Sequence, residues 1–170
     1  MQPEEGRNRV IIEGVTPEID SGRFPIKRII DDETVVEADI LTDGHDALSG
    51  VLLYRKESDP DWIEVEMEPL GNDRWRGAFR VRELGRYRYT VMGWIDHFRS
   101  WSRDLTKRVE ARQDVSIDLL IGAELVEEAR QQATELDARS LASIASALRT
   151  GGVEGTRQAQ SPELSRLMAT

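Results

Sequence analysis

Few residue types in this chain could bind a metal ion, and their spacing does not gather them into a site. His45 and His97 are its only histidines, and cysteine is absent. Metal sites normally draw several ligands that converge on one point. His97 directly follows Asp96, and neighbouring residues of a strand point to opposite faces, so this pair is not expected to share an ion. We therefore predict no metal-binding residue.

Motifs for nucleophilic, phosphate or redox chemistry are also missing. The sequence contains no G-x-S-x-G elbow, no P-loop and no G-x-G-x-x-G turn after a predicted strand. Without cysteine there is no thiol nucleophile and no disulfide, which is typical of a reducing cytosol. The acidic residues of the first half fall at alternating surface positions or in turns. We therefore predict no catalytic residue and no cofactor.

Three tryptophans could form a flat platform for sugar rings, as in sandwich carbohydrate-binding modules. They are Trp62, Trp94 and Trp101. Trp94 has the opposite strand parity to Tyr87 and Tyr89, which places it on the outer face if the tyrosines point inwards. The alternative is that all three tryptophans pack in a core or an interface, which is the commoner role of a tryptophan on a sandwich strand. The sequence leaves both interpretations open.

The charge balance disfavours two classes of partner. The chain has 170 residues, with 23 basic and 32 acidic side chains and a net charge of −9. A negative protein repels nucleic-acid phosphates and anionic lipids, so we expect neither partner. No apolar run is long enough to span a membrane, and no leader sequence is visible. The expected location is the cytoplasm. Only three of the basic residues are lysine, and the rest are arginine, an excess that codon bias explains.

The chain divides by composition into two parts. All tryptophan, tyrosine and phenylalanine residues lie between Phe24 and Trp101. These aromatic residues and the β-branched residues around them favour strands, whereas the later Ala, Leu, Glu, Arg and Gln favour helices. We therefore predict a β domain over residues 1–103. An α-helical segment, part of a helical bundle domain, is predicted over residues 104–170.

The first part is predicted to be an immunoglobulin-like antiparallel β-sandwich. Short apolar or alternating runs are separated by turn signals at close spacing, which is typical of such folds. A tyrosine near the start of the last run is similar to the tyrosine corner of these sandwiches. The predicted strands are residues 9–14, 24–30, 34–41, 47–55, 62–68, 74–81 and 85–95.

Alternation within two of these runs predicts which side chains are buried. Trp75 and its inward neighbours alternate with arginines that point to solvent. A tight hairpin through Pro69–Asp73 would place Glu68 opposite Arg74 and Glu66 opposite Arg76. Such cross-strand ion pairs would help to fix the strand register.

Apolar residues in the second part recur every three or four positions, which predicts helices. Leu141, Ile144 and Leu148 form one stripe that ends before Gly151, and Ser161 followed by proline indicates a helix start. Another stripe, which continues to Leu136, is small-sided and is predicted to be a dimer or packing surface. Its members are Leu119, Ala123, Val126, Ala129 and Ala133.

Several stretches resemble a known family. They are, in order, GRNRVIIEGVTPEIDSGRFPIKR, VVEADILTDGHDALSGVLLYR, MEPLGNDRWRGAFRV, GRYRYTVMGWIDHFRSW and QDVSIDLLIGAELVEEA. Together they resemble the N-terminal region of the α-1,4-glucan:maltose-1-phosphate maltosyltransferases, the GlgE type of the α-amylase superfamily, glycoside hydrolase family 13. The most specific parts are PEIDSGRFPIKR, DGHDAL and MEPLGNDRWR.

The resemblance implies a non-catalytic part of a larger enzyme. Members transfer maltosyl units from maltose 1-phosphate to an α-1,4-glucan with retention, using carboxylates on a barrel that would follow Thr170. It further implies a homodimer, contact with the barrel of the same chain, and no cofactor. Two alternatives remain, namely a carbohydrate-binding module that holds α-glucan, and a purely structural immunoglobulin-like interaction domain.

Overall fold

The computed structural model describes residues 10–169, which form two compact units. The first ends at Ile95 and the second begins at Asp96, and within the described residues the regular elements of the first are strands and those of the second are helices. This confirms the predicted fold class. The division comes earlier than the predicted one at residue 103, because the aromatic residues Phe98 and Trp101 lie on a helix rather than a strand. Arg9, the first residue of the first predicted strand, lies outside the described residues.

The first unit is a sandwich of two antiparallel sheets. Their strand orders are β1-β2-β6-β5 and β4-β3-β7. These orders match strands A-B-E-D and C′-C-F of an immunoglobulin-type sandwich. The strands are β1 Val10–Thr16, β2 Glu33–Thr42, β3 Leu48–Lys56, β4 Ile63–Glu66, β5 Glu68–Gly71, β6 Arg74–Arg80 and β7 Tyr87–Ile95.

The core of the sandwich follows from alternation along the strands. On β6, Trp75 and Phe79 are buried, whereas Arg76 and Arg80 are exposed, as predicted. Because successive side chains of a strand point to opposite faces, each strand gives one row of apolar residues to the space between the sheets. The buried residues of this core are Val36, Ala38, Ile40, Leu52, Met67, Trp75, Phe79 and Val91.

One predicted strand is wrong. Residues 24–30 are irregular and belong to the loop between β1 and β2. Phe24 forms only an isolated bridge with Ile19, and Pro25 has no N–H to donate to a ladder. Residues 10–95 nevertheless contain seven strands, the number predicted, because the predicted run 62–68 divides into β4 and the start of β5.

The predicted pairing of glutamates with arginines is also wrong. Glu68 lies opposite Arg76 rather than Arg74, with a register shift towards Gly71. Glu66 pairs with β3 in the other sheet, because the chain crosses between the sheets at the buried Met67. Both arginines instead pair with β2, where the Glu37 carboxylate accepts hydrogen bonds from Arg74 (3.3 Å) and Arg76 (2.8 and 2.9 Å).

Residues 96–169 of the second unit form five helices, three of which begin at a side-chain cap. Asp96, Thr134 and Ser161 each accept a hydrogen bond from a backbone N–H of the first turn, so the start predicted at Ser161 is correct. Gly151 ends α3 with a φ of 72°. The helices are α1 His97–Glu110, α2 Ser116–Arg130, α3 Glu135–Thr150, α4 Gly152–Ala159 and α5 Pro162–Leu167.

The helical unit has its own core. The stripe predicted on α3 is buried in it, whereas Leu136 is 77% exposed. The predicted continuation of the α2 stripe to Leu136 fails because α2 ends at Arg130, and a new helix with a different phase begins at Glu135. The buried members of this core are Trp101, Leu105, Leu119, Ala123, Val126, Leu141, Ile144, Ala145, Leu148, Ala159, Leu164 and Leu167.

Candidate ligand groove and exposed apolar helix face

A groove with a volume of about 800 Å³ opens on the sandwich unit. Its lining includes residues of the β1–β2 loop, among them Arg23 and Phe24, together with residues of β3 and β7 and with Trp62. The buried ring of Phe79 and the half-buried ring of Tyr89 also line it. This volume lies within the range typical of pockets for small molecules.

Contacts at both of its ends hold the β1–β2 loop on the sandwich. Near its start, the Tyr89 hydroxyl donates a hydrogen bond to the carbonyl oxygen of Pro17. Near its end, the Asp31 N–H donates to the Val81 carbonyl oxygen over 2.8 Å. Burial raises the pKa of Tyr89, so its hydroxyl keeps the proton that it donates. The sequence predicted a tyrosine corner, and Tyr89 bonds to a distant loop rather than to the adjacent turn.

The groove is basic although the protein is acidic. Five arginines line it, against two glutamates, whereas the whole chain has a net charge of −9. Guanidinium groups stay charged at any ordinary pH, and a concave surface concentrates their field. The groove therefore attracts anions. The charged residues that line it are Glu18, Arg23, Arg28, Arg55, Glu57, Arg86 and Arg88.

Two of these arginines are fixed by other groups. Arg88 donates to one carboxylate oxygen of Glu57 over 2.6 and 3.1 Å, and this hydrogen bond lowers the pKa of Glu57. Arg55 donates to the Asp59 carbonyl oxygen over 2.6 Å, and its guanidinium lies 4.9 Å from the ring centre of Trp62. Such a cation–π contact orients the indole.

The other three arginines keep most of their donors. The Arg86 side chain makes no hydrogen bond or ion pair within residues 10–169. Arg28 donates only to the neighbouring Lys27 carbonyl oxygen. Arg23 lies over the half-exposed ring of Phe24 and pairs with Asp20 at 3.7 Å, with both side chains exposed. A guanidinium has five N–H donors, so these residues retain capacity for an anionic ligand.

The three tryptophans do not form one platform. Trp62 lines the groove and is 40% exposed. Trp94 lies on the outer face of β7, as its parity predicts, opposite Ser49 at the far end of β3 from Trp62. Trp101 is buried in the helical unit, where its indole N–H donates to the Asp118 carbonyl oxygen over 2.7 Å. Of the predicted sugar-binding residues, only Trp62 belongs to the groove.

Nothing in the local sequence pattern marks the arginines or Phe24 as groove residues. The arginine excess was a signal, but it did not indicate which arginines would meet. The stretch PEIDSGRFPIKR, one of the most specific parts of the resemblance, contributes several of the residues that line the groove. Its pattern partly predicts a strand, whereas the structure shows a loop whose residues line a cavity.

Helix α2 carries large apolar residues on two opposite sides, and on the outer side they lie next to Glu124 and Glu128. The predicted surface is buried at Leu119, Ala123 and Val126 and partly buried at Ala129 and Ala133, where it packs against the other helices of the unit. The opposite face carries three large apolar side chains that are 73%, 50% and 47% exposed. They are Ile117, Leu120 and Ile121, and we call them the α2 apolar face.

The histidines and acidic residues do not converge. His45 lies in a turn, and His97 begins α1 directly after the cap residue Asp96, so the strand geometry expected for this pair is wrong. Within residues 10–169 no three histidine or acidic side chains come close enough to hold a metal ion. No helix in this part of the chain has the length and apolarity needed to cross a membrane.

The fold defines a β-sandwich region followed by a helical unit. The family model for α-1,4-glucan:maltose-1-phosphate maltosyltransferase, domain N/S, matches residues 8–170, and the chain belongs to this family. A maltosyltransferase of that name from Chlorobaculum tepidum is 46% identical over 93% of the chain and 24% of the relative. The relative from Myxococcus xanthus is 43% identical over 82% of the chain and 22% of its own length. The relative from Methylacidiphilum infernorum is 42% identical over 74% of the chain and 19% of its own length. The chain thus spans about a quarter or less of their length.

Proposed function

We propose that this chain is the non-catalytic N-terminal part of a cytoplasmic enzyme of the α-amylase superfamily that extends α-1,4-glucan with maltosyl units from maltose 1-phosphate. Its role is to form a homodimer and to support the catalytic barrel of the same protein. The observation that carries this proposal is that the family model matches residues 8–170, while the chain covers only about a quarter or less of each related maltosyltransferase.

The α2 apolar face supports the association role. Exposed apolar surface costs free energy in water, so a helix side that presents several large apolar residues is normally covered by other protein. The inner side of α2 is covered by its own unit, whereas Ile117, Leu120 and Ile121 are not. A second copy of the chain can cover this face symmetrically, since most soluble oligomers are two-fold dimers that use the same patch twice.

Sedimentation equilibrium over a wide concentration range tests the association role. We expect the wild-type chain to form a dimer and Leu120→Glu to shift it towards monomer. Leu136→Glu is the matched control, because Leu136 is also an exposed leucine on a helix but lies outside the α2 apolar face. A wild-type chain that stays monomeric, or equal effects of the two substitutions, would contradict the dimer.

Phosphate release tests the catalytic part of the proposal. We expect the full-length protein to release phosphate from maltose 1-phosphate in the presence of glycogen. The chain of 170 residues is expected to release none under the same conditions. Phosphate release by this chain alone would show that it carries catalytic residues and would overturn the proposal. Failure of the full-length protein to use maltose 1-phosphate would overturn the assigned reaction.

A further inference from the structure

We propose that the groove of the sandwich unit binds a small phosphate monoester. The phosphate would contact Arg86 and the neighbouring guanidiniums, and the ring-bearing body of the ligand would lie against Phe24 and Trp62. This proposal is independent of the proposed function, because it requires neither the dimer nor the barrel. It assigns a ligand to a cavity of about 800 Å³ that lies within one compact unit.

The charge of the groove selects an anion of small size. Five arginines face two glutamates there, and one glutamate, Glu57, is already paired with Arg88. A long polyanion would also meet the rest of a chain whose net charge is −9, which disfavours nucleic acid. A compact ligand that fits inside the groove gains the local attraction without that repulsion.

Arg86 is the best-placed residue for the phosphate. Its carbonyl oxygen accepts a hydrogen bond from the Glu57 N–H over 2.8 Å, which holds its backbone against the end of β3. Its side chain is exposed and makes no hydrogen bond or ion pair within residues 10–169, although its charge also acts on Glu57, which Arg88 already binds. The planar fork of a guanidinium matches two phosphate oxygens at once.

The aromatic side chains favour a ligand that carries a ring. Phe24 is 53% exposed, and the Trp62 indole is held by the Arg55 guanidinium. Each can offer apolar surface to a sugar or a base, which bare inorganic phosphate cannot use. The phosphate monoesters of sugars and the nucleoside monophosphates share this chemistry.

Calorimetric titration of the wild-type chain distinguishes these ligands. The probes are α-D-glucose 1-phosphate, AMP, inorganic phosphate and maltose. We expect at least one of the two monoesters to bind at least about tenfold more tightly than inorganic phosphate, which corresponds to about 1.4 kcal/mol. Maltose is expected to bind more weakly than the better monoester. The stronger of the two monoesters identifies whether a sugar or a nucleotide is preferred.

Two variants and a control locate the site. Arg86→Ala should weaken monoester binding about tenfold or more, because a hydrogen-bonded charge is lost. Trp62→Ala should weaken the monoesters but leave any binding of inorganic phosphate unchanged. Arg139→Ala, which removes an exposed arginine of the helical unit, should change nothing. Circular dichroism checks that each variant is folded.

Several results would overturn the proposal. One is that neither monoester binds, and another is that inorganic phosphate binds as tightly as both, which would leave no role for the aromatic rings. Equal or tighter binding of maltose would show that the groove does not select an anion. Equal effects of Arg86→Ala and Arg139→Ala would show that binding reflects overall charge. None of these results bears on phosphate release by the full-length protein or on the dimer.

Discussion

The indole of Trp101 on α1 lies directly against Gly122 on α2. A Cβ atom at position 122 would be 2.0 Å from Cζ2 of this ring, far inside van der Waals contact. The same indole donates its N–H to the Asp118 carbonyl oxygen, one turn earlier on α2. A residue with no side chain therefore permits the close approach of the two helices, and the hydrogen bond fixes the ring in place.

Gly122→Ala should destabilise the helical unit by about 1–3 kcal/mol, the usual cost of overpacking a core. On helix propensity alone the same change would stabilise the unit by roughly 1 kcal/mol. A loss of stability would therefore show that the clash with the Trp101 ring outweighs the gain in helix propensity. Urea denaturation followed by circular dichroism measures it. In a Trp101→Ala background the alanine should be neutral or stabilising, because the ring is gone. Destabilisation that persists there would refute this explanation.

Trp75→Ala should destabilise the sandwich unit by about 3–5 kcal/mol, because a large buried aromatic side chain is removed from the core. Arg76→Ala, on the opposite face of the same strand, should move the denaturation midpoint much less, since its ion pair with Glu37 is partly exposed. Guanidinium chloride titration of both variants compares them. The reverse order of midpoints would be incompatible with the inward orientation of Trp75.

Acid should weaken the ion pairs that join Glu37 of β2 to Arg74 and Arg76 of β6. The hydrogen bond from Arg76 is the main cause that lowers the pKa of Glu37, and Arg74 adds to it. A carboxyl group with a lowered pKa stabilises the fold while it is ionised, and this contribution is lost as the pH falls through its folded-state pKa. Wild type should therefore exceed Glu37→Gln in stability near neutral pH, and the difference should shrink in acid. Denaturation midpoints at a series of pH values measure this difference, and one that does not change with pH would contradict it.

Tyr89→Phe should loosen the β1–β2 loop. The substitution removes the hydrogen bond to the Pro17 carbonyl oxygen while leaving the ring, at a cost of about 1 kcal/mol. Hydrogen exchange of residues 18–31 should become faster than in wild type. Tyr87→Phe is the matched control, because Tyr87 also lines the groove but makes no side-chain hydrogen bond within residues 10–169. Equal protection of the loop in both variants would show that Tyr89 does not anchor it.

Local patterns predict most of the strands and helices correctly, with the strand over residues 24–30 as the exception. Alternation placed Trp75 inward and Arg76 outward, and the three- and four-residue spacing placed Leu141, Ile144 and Leu148 on one helix face. Both patterns depend only on the repeat of a strand or a helix, so they can be read without knowing the fold. The predicted boundary at residue 103 lies later than the division after Ile95, because Trp101 is aromatic but lies on a helix. Its burial in the helical core outweighs the preference of aromatic residues for strands.

The candidate site depends on contacts that local patterns do not contain. Arg23 and Arg86 are separated by most of the sandwich along the chain, yet both line the groove, because the β1–β2 loop is anchored to β7 through Tyr89. The stripe from Leu119 to Ala133 is predicted to be a dimer or packing surface because its small residues suit the close approach of another helix. In the structure this stripe packs mainly against α3 of the same unit.

The sequence by itself determined the fold class, the order of β before α, the inward tryptophan of β6 and the family resemblance, since each is written in residue types and their spacing. Only the tertiary structure decided that Glu37, and not Glu66, meets Arg76, and that Leu120 rather than Val126 remains exposed on α2. The physical reason is that strand register and helix packing depend on which elements become neighbours. That choice minimises exposed apolar surface and unpaired polar groups over a whole unit rather than within any one segment.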